Sequence, residues 1–225
     1  MSKIWYLSPS NQGANMGVGN YGSEKEQMNL LLDEIIPHLD RAGISFHRAD
    51  ADLSLTARVK ESNEMGACFH LALHSNAGGN GNARGPEAFY YSAEGKQFGE
   101  KLISALLALG QENKRSSNVK QNKTLYELKA TAAPACLLEV DLHDSLSGVE
   151  FLTKRRSEIA EAIAKVIIEW DGKSFVPTTN GEYIERAVKL GFFDRSTNWN
   201  GALTKEEAAV IIMRLLDSVK KGVNV

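Results

Sequence analysis

The stretch Cys68-Phe-His-Leu-Ala-Leu-His-Ser-Asn-Ala-Gly-Gly79 decides the fold, because an apolar alternation ends in a histidine and passes directly into small, turn-forming residues. Phe69, Leu71 and Leu73 share one face of a strand; His70, Ala72 and His74 share the other. At roughly 3.3 Å per residue the two histidine Cα atoms stand about 13 Å apart, too far for parallel side chains to share one ion at bonds near 2 Å. His74 is the candidate metal ligand, since it lies at the strand end, where ligands collect in open α/β sheets. The plainer alternative is a structural histidine. His70, inside the strand, reads as a buried histidine with hydrogen-bond partners.

Working outward, Ile4–Leu7 reads as a first strand, and Ser8 to Gly22 as a long polar, glycine-rich loop of the kind that binds ligands. Ser23 is an N-cap with acidic residues at 24 and 26, and Met28, Leu31, Leu32, Ile35 and Ile36 recur at helical spacing up to Gly43. The pattern continues with a strand at Ile44–His47, a helix at Ser54–Met65 with Leu55, Val59 and Met65 inward, and the quoted strand. Next come a strand at Glu87–Tyr91, a helix at Gly95–Leu109, an ambiguous Leu125–Leu128, a strand at Ala135–Val140 and a helical run at Ser147–Trp170. Such alternation predicts an α/β fold, a twisted, mostly parallel sheet with helices on both faces.

The 225 residues allow a full domain at 1–172, a linker at 173–180 and a small C-terminal helical module at 181–225. Hydrophobic residues make up 43% and charged residues 24%, ordinary values for a globular chain. A net charge of −2 argues against nucleic acid as a partner, and Lys154-Arg-Arg156 is too short a run to alter that. No segment has the length of a membrane span. Cys68 and Cys136 sit in apolar, strand-like runs and read as small buried thiols rather than a disulfide or metal pair. His38 and His47 have no acidic or histidine partner at useful spacing and read as surface or edge residues.

Four features converge on one end of the predicted sheet: the loop around Asn11, Glu24 at a helix start, His74 after one strand and Glu139 at the end of another. Imidazole and carboxylate are zinc ligand types, and a carboxylate left off the metal can serve as general base. Glu26 is the other acidic choice near Glu24; Glu24 is preferred because it begins the turn, although both also simply favour a helix N-terminus.

Gly22-Ser-Glu-Lys-Glu-Gln-Met-Asn29, His74-Ser-Asn-Ala77 and Pro134-Ala-Cys-Leu-Leu-Glu139 together resemble the ordered motifs of zinc-dependent N-acetylmuramoyl-L-alanine amidases of the amidase-3 type, over about residues 3 to 170. The resemblance implies cleavage of the amide between N-acetylmuramic acid and L-alanine of the peptidoglycan stem by zinc-activated water. It matches Glu24 and His74 to metal ligands and Glu139 to the catalytic carboxylate. The family opens with Asp-Pro-Gly-His-Gly, whereas this chain reads Ser8-Pro-Ser-Asn-Gln12, which puts Asn11 where a ligand histidine is expected. Three resolutions stand open: Asn11 binds weakly, His143 from Asp141-Leu-His-Asp144 curls back to complete the site, or the metal is gone.

The rival from another class is a catalytically inactive cell-wall-binding protein that has lost the metal. A third reading takes Gly17-Val-Gly-Asn-Tyr-Gly22 as a dinucleotide loop, but its first glycine comes nine positions after Ser8, whereas such glycines follow their strand directly. The tail resembles a single S-layer-homology-like repeat, implying wall targeting or a homodimer through the C-terminal helices; the plainer reading is a packed helical hairpin. Met1–Ser8 lacks the apolar run and cleavage site of a secretory signal. The expectation is therefore synthesis in the cytoplasm and action on the wall after release, as in a phage endolysin.

Overall fold

The computed structural model describes residues 3–78 and 83–175. The proposed module at 181–225, its dimerisation role and the linker beyond Phe175 lie outside the described residues. Six strands, β1 (Trp5–Pro9), β2 (Phe46–Arg48), β3 (Phe69–Asn76), β4 (Glu87–Tyr90), β5 (Val119–Gln121) and β6 (Ala135–Leu142), form one sheet in the order β2-β1-β3-β6-β4-β5. Every pairing is parallel except β4 against β6. The helices are α1 (Glu24–Arg41), α2 (Leu55–Glu64), α3 (Ala93–Ala108), α4 (Tyr126–Lys129), α5 (Leu146–Lys154) and α6 (Arg156–Trp170). Serines start four of them: Ser23, Ser54, Ser92 and Ser145 each accept a backbone N–H of the first turn.

The two sheet faces differ in chemistry. Trp5, Leu7, Phe69, Leu71, Leu73, Cys136, Leu138 and Val140 pack against α1, α3 and α6 in the main core. Trp5 stacks on Phe69 at 5.0 Å, and the Trp170 edge meets Phe98 at 5.3 Å. The opposite face carries only a small apolar cluster, Ala72, Leu128, Ala135 and Leu137. Its other residues are polar, and α2 follows suit. The inward side of α2 is Arg58, Val59 and Ser62, while Leu55 is exposed, contrary to the expected Leu55–Val59–Met65 face. Arg58 and Ser62 point in because Ser8 and His70 beneath them need hydrogen-bond partners.

Other departures are local. β5 has only three residues and no apolar alternation to announce it. The helical run after Ser147 is two helices meeting at Arg155, whose guanidinium binds the Leu109 carbonyl. β3 and β6 pair His74 with Glu139 but Asn76 with Leu142, so β6 carries one extra residue in a bulge. No helix among the described residues is long and apolar enough to cross a membrane.

Both cysteines are free. Burial pushes the Cys136 thiol up to about 12, while Cys68 is only half buried. A thiol reagent is expected to label Cys68 in the native protein and Cys136 only after unfolding; equal labelling in native buffer would contradict this packing.

Candidate active site

Glu24 is the first residue of α1, delivered by a loop that folds on itself. Gly17 N donates to the Gly22 carbonyl (2.9 Å), Glu24 N donates to the Asn15 carbonyl (2.8 Å), and Gly22 takes a φ of 78° that turns the chain into the Ser23 cap. Because Gly17 N–H donates to the Gly22 carbonyl and Val18 N–H to the His143 carbonyl, and acidic Glu24 and Glu26 occupy the first turn, this loop offers no phosphate cradle.

His74 ends the regular part of β3. Its Nδ1–H donates to Glu24 Oε1 at 2.7 Å, and both side chains are buried. Asn15 Nδ2 donates to Glu24 Oε2 (2.8 Å) and to Gln12 Oε1 (2.6 Å), and Gln12 Nε2 stands 3.4 Å from His74 Nδ1. Burial alone would raise the Glu24 carboxyl; the hydrogen bond and charge of His74, with bonds from Asn15 and Ser10, hold it below its ordinary value. For His74 burial works against the charged ring. The bond to Glu24 and the charges of Glu139, Glu24 and Glu127 outweigh it and raise the imidazole.

Glu139 lies beside His74 in the β3–β6 register and beside Glu87 in the β6–β4 register, so His74, Glu139 and Glu87 form a row across three strands. Glu87 is neutralised by Arg115, whose Nη1 donates to Oε2 at 2.9 Å, and by Lys120. Glu139 has no such cation in contact: its Oε2 is shielded from solvent without a hydrogen-bond partner. Burial pushes its carboxyl up to about 7, with Glu24 and Glu87 adding to the rise and His74 and Arg115 opposing it.

The remaining candidates go elsewhere. Asn11 Nδ2 donates to the Leu53 carbonyl (2.9 Å), and it is the neighbouring Gln12 that reaches His74. His143 Nδ1 shares a hydrogen bond with Ser75 Oγ (2.8 Å), and its ring stacks on Tyr21 at 5.7 Å. Among the described residues no three His, Cys, Asp or Glu side chains gather where they could hold a metal ion. Glu24 and His74 are thus brought together, with Glu139 alongside, and His143 is given a different set of neighbours. His70 is the buried, hydrogen-bonded histidine expected of it. His38 is buried instead of superficial, against Arg41 and Phe175, and His47 does have an acidic partner, Glu61 at 3.2 Å, reached across α2.

Sequence reasoning missed Gln12, Asn15, Glu87 and Glu127. Glu127, on α4, is 3% exposed and contacts both His70 and Ser8. The available signal was the need of buried His70 for a partner.

The family model for N-acetylmuramoyl-L-alanine amidase matches residues 8–169, a span that contains Glu24, His74 and Glu139. The chain belongs to this amidase family. A curated relative, the N-acetylmuramoyl-L-alanine amidase CwlM of Bacillus licheniformis, is 24% identical over 230 residues, covering 95% of this chain and 86% of the relative. Among solved structures, the amidase AmiC2 of Nostoc punctiforme superposes with a TM-score of 0.68 at 19% identity, covering 76% of this chain and 97% of that one. The catalytic domain of the amidase CwlV from Bacillus (Paenibacillus) polymyxa var. colistinus gives 0.66 at 20% identity, covering 76% and 98%. These structural likenesses establish that the chain has the amidase fold.

Proposed function

We propose that this chain is a zinc-dependent peptidoglycan hydrolase that cuts the amide between the lactyl group of N-acetylmuramic acid and the first L-alanine of the stem peptide. The observation that carries the reading is the contact of Glu24 with His74 at 2.7 Å beside the shielded, partnerless Oε2 of Glu139, in a chain of the amidase family. The donor set fits zinc at two points, one imidazole nitrogen and one carboxylate oxygen, where three carboxylates, Glu24, Glu127 and Glu139, all act on one imidazole. Glu24 and His74 would hold the ion. Bound there, zinc would lower the pKa of a water molecule to about 7 and polarise the scissile carbonyl.

The protein's own share of the chemistry falls to Glu139. In the metal-free chain burial pushes its carboxyl up to about 7, above the ordinary carboxylate range, which suits a group that must both take and return a proton. As carboxylate it takes a proton from the attacking water while the water oxygen bonds to the lactyl carbonyl carbon. As acid it returns that proton to the alanine nitrogen as the C–N bond breaks, leaving a lactyl carboxylate and a free amine. Asn15 fixes Glu24 and Gln12 in one orientation, so the carboxylate is aligned before substrate arrives.

Zinc analysis of the purified protein, together with chemistry on isolated peptidoglycan, tests this. Stoichiometric zinc and release of alanine amino termini without new reducing ends are expected. Metal-free protein that binds wall and releases no amino groups would favour the inactive wall-binding alternative.

A further inference from the structure

Glu127 stands behind the site and is not accounted for by the hydrolysis. Its Oε1 accepts from Ser8 Oγ (2.5 Å) and from His70 Nε2 (3.1 Å), while Oε2 lies 4.0 Å from His74 Nε2. The protons around it run one way. Arg58 Nη1 donates to Ser8 Oγ (3.1 Å), which spends its own proton on Glu127, and Ser62 Oγ donates to His70 Nδ1 (3.1 Å), which leaves Nε2–H for Glu127. Glu127, Ser8, His70, Arg58 and Ser62 are all buried, so this carboxylate has no water to fall back on.

We infer that Glu127 is a positioning residue whose carboxylate faces the Nε2 edge of the His74 ring at ion-pair distance and thereby keeps Nδ1 turned to the Glu24 side. His74 meets a carboxylate at each ring nitrogen: Glu24 at Nδ1 and Glu127 facing Nε2. A carboxylate on the far nitrogen fixes the tautomer and plane of a ligating imidazole and raises its basicity. Strand pairing gives the arrangement a second support. Ser8, on the strand adjoining β3, is bonded directly to Glu127, so a carboxylate placed at position 8 would stand beside the one that α4 supplies. The two histidines of β3, too far apart to share an ion, are joined by Glu127.

The inference rests on the zinc-amidase reading only for its consequence in metal affinity; its geometric part holds with or without the ion. The test uses the full chain labelled with ¹⁵N-histidine and three variants: Glu127→Gln, Glu127→Ala and the double variant Ser8→Asp/Glu127→Ala. Two-bond ¹H–¹⁵N spectra read the His74 ring, and competition with a chromophoric chelator reads zinc affinity. Expected results are a displaced His74 Nε2 resonance in Glu127→Gln even without metal, zinc binding weakened by about 10- to 100-fold, and return of both toward the parent in the double variant. Folded Glu127→Gln with an unchanged His74 spectrum would overturn the inference. If Glu127→Gln does not fold, the double variant is read alone: a parental His74 spectrum supports the role, and a displaced one overturns it. Failure of the parent to bind zinc would sink the proposed function while the metal-free spectra still decide the role of Glu127.

Discussion

Glu139→Gln is expected to lower amidase turnover by at least about 100-fold, the low end of what a general acid or base contributes, and to raise the stability of the metal-free protein at the same time. Glutamine keeps the shape of the side chain but can neither take the proton of water nor return it to the amine. The stability gain follows from the carboxyl being pushed from 4.5 up to about 7. Below about 4.5 it is protonated in folded and unfolded chains alike. Between 4.5 and 7 the unfolded chain ionises first, so this group's favourable contribution is lost as pH rises, and above 7 the loss is complete. With allowance for its partial exposure, the cost amounts to about 1–3 kcal/mol. Urea denaturation of metal-free protein should show Glu139→Gln more stable than the parent at pH 8 and equal to it near pH 4. Near-normal turnover would refute the catalytic role, and equal stability at pH 8 would refute the raised carboxyl.

His74→Ala is expected to have the other large effect. It removes one of the two proposed metal donors, so zinc affinity should fall by more than the ~10- to 100-fold typical of outer-shell changes, and hydrolysis should vanish with it. The fold should suffer too, because Glu24 is left as a buried carboxylate whose main counter-charge has gone. Breaking one side of such a pair commonly costs about 3–5 kcal/mol. The Glu24 carboxyl is held low in the parent, so the stabilisation it draws from His74 is present above the ordinary carboxylate range and lost as pH falls through the lowered value. The stability gap between parent and His74→Ala in metal-free denaturation should therefore be wide at neutral pH and narrow in acid. Undiminished zinc binding by the variant would remove His74 from the site.

Much of the framework was legible because burial on one face leaves a period-two signature. Phe69, Leu71 and Leu73 declare β3, and the cap at Ser23 marks its helix where the structure has it. The opposite sheet face was not legible. Its residues are held by hydrogen bonds among side chains far apart in sequence, such as Ser8 with Glu127 and Ser62 with His70, and hydrophobic periodicity carries no record of these. For the same reason α2 was turned the wrong way, and Glu127 passed unnoticed inside the four residues of α4. At the site, sequence spacing led to Glu24 and His74, which do meet. It could not show that the loop after β1 sends Gln12 instead of Asn11 toward them, since that depends on a bond from Asn11 to the carbonyl of Leu53, 42 residues away.

The bulge in β6 carries a consequence for how this site can change. Along a regular strand, positions 139, 141 and 143 would point the same way. With three residues of β6 spanning what two span on β3, the alternation reverses, and His143 bonds to Ser75 instead of joining His74. Deleting one residue between 139 and 142 would restore two-for-two pairing, yet His143 would then stand three residues after Glu139 and would still face away from it. Only a β6 that kept all its residues and lost the bulge would bring His143 round to the side of Glu139. The place of His143 beside Ser75 is therefore insensitive to removal of the extra residue.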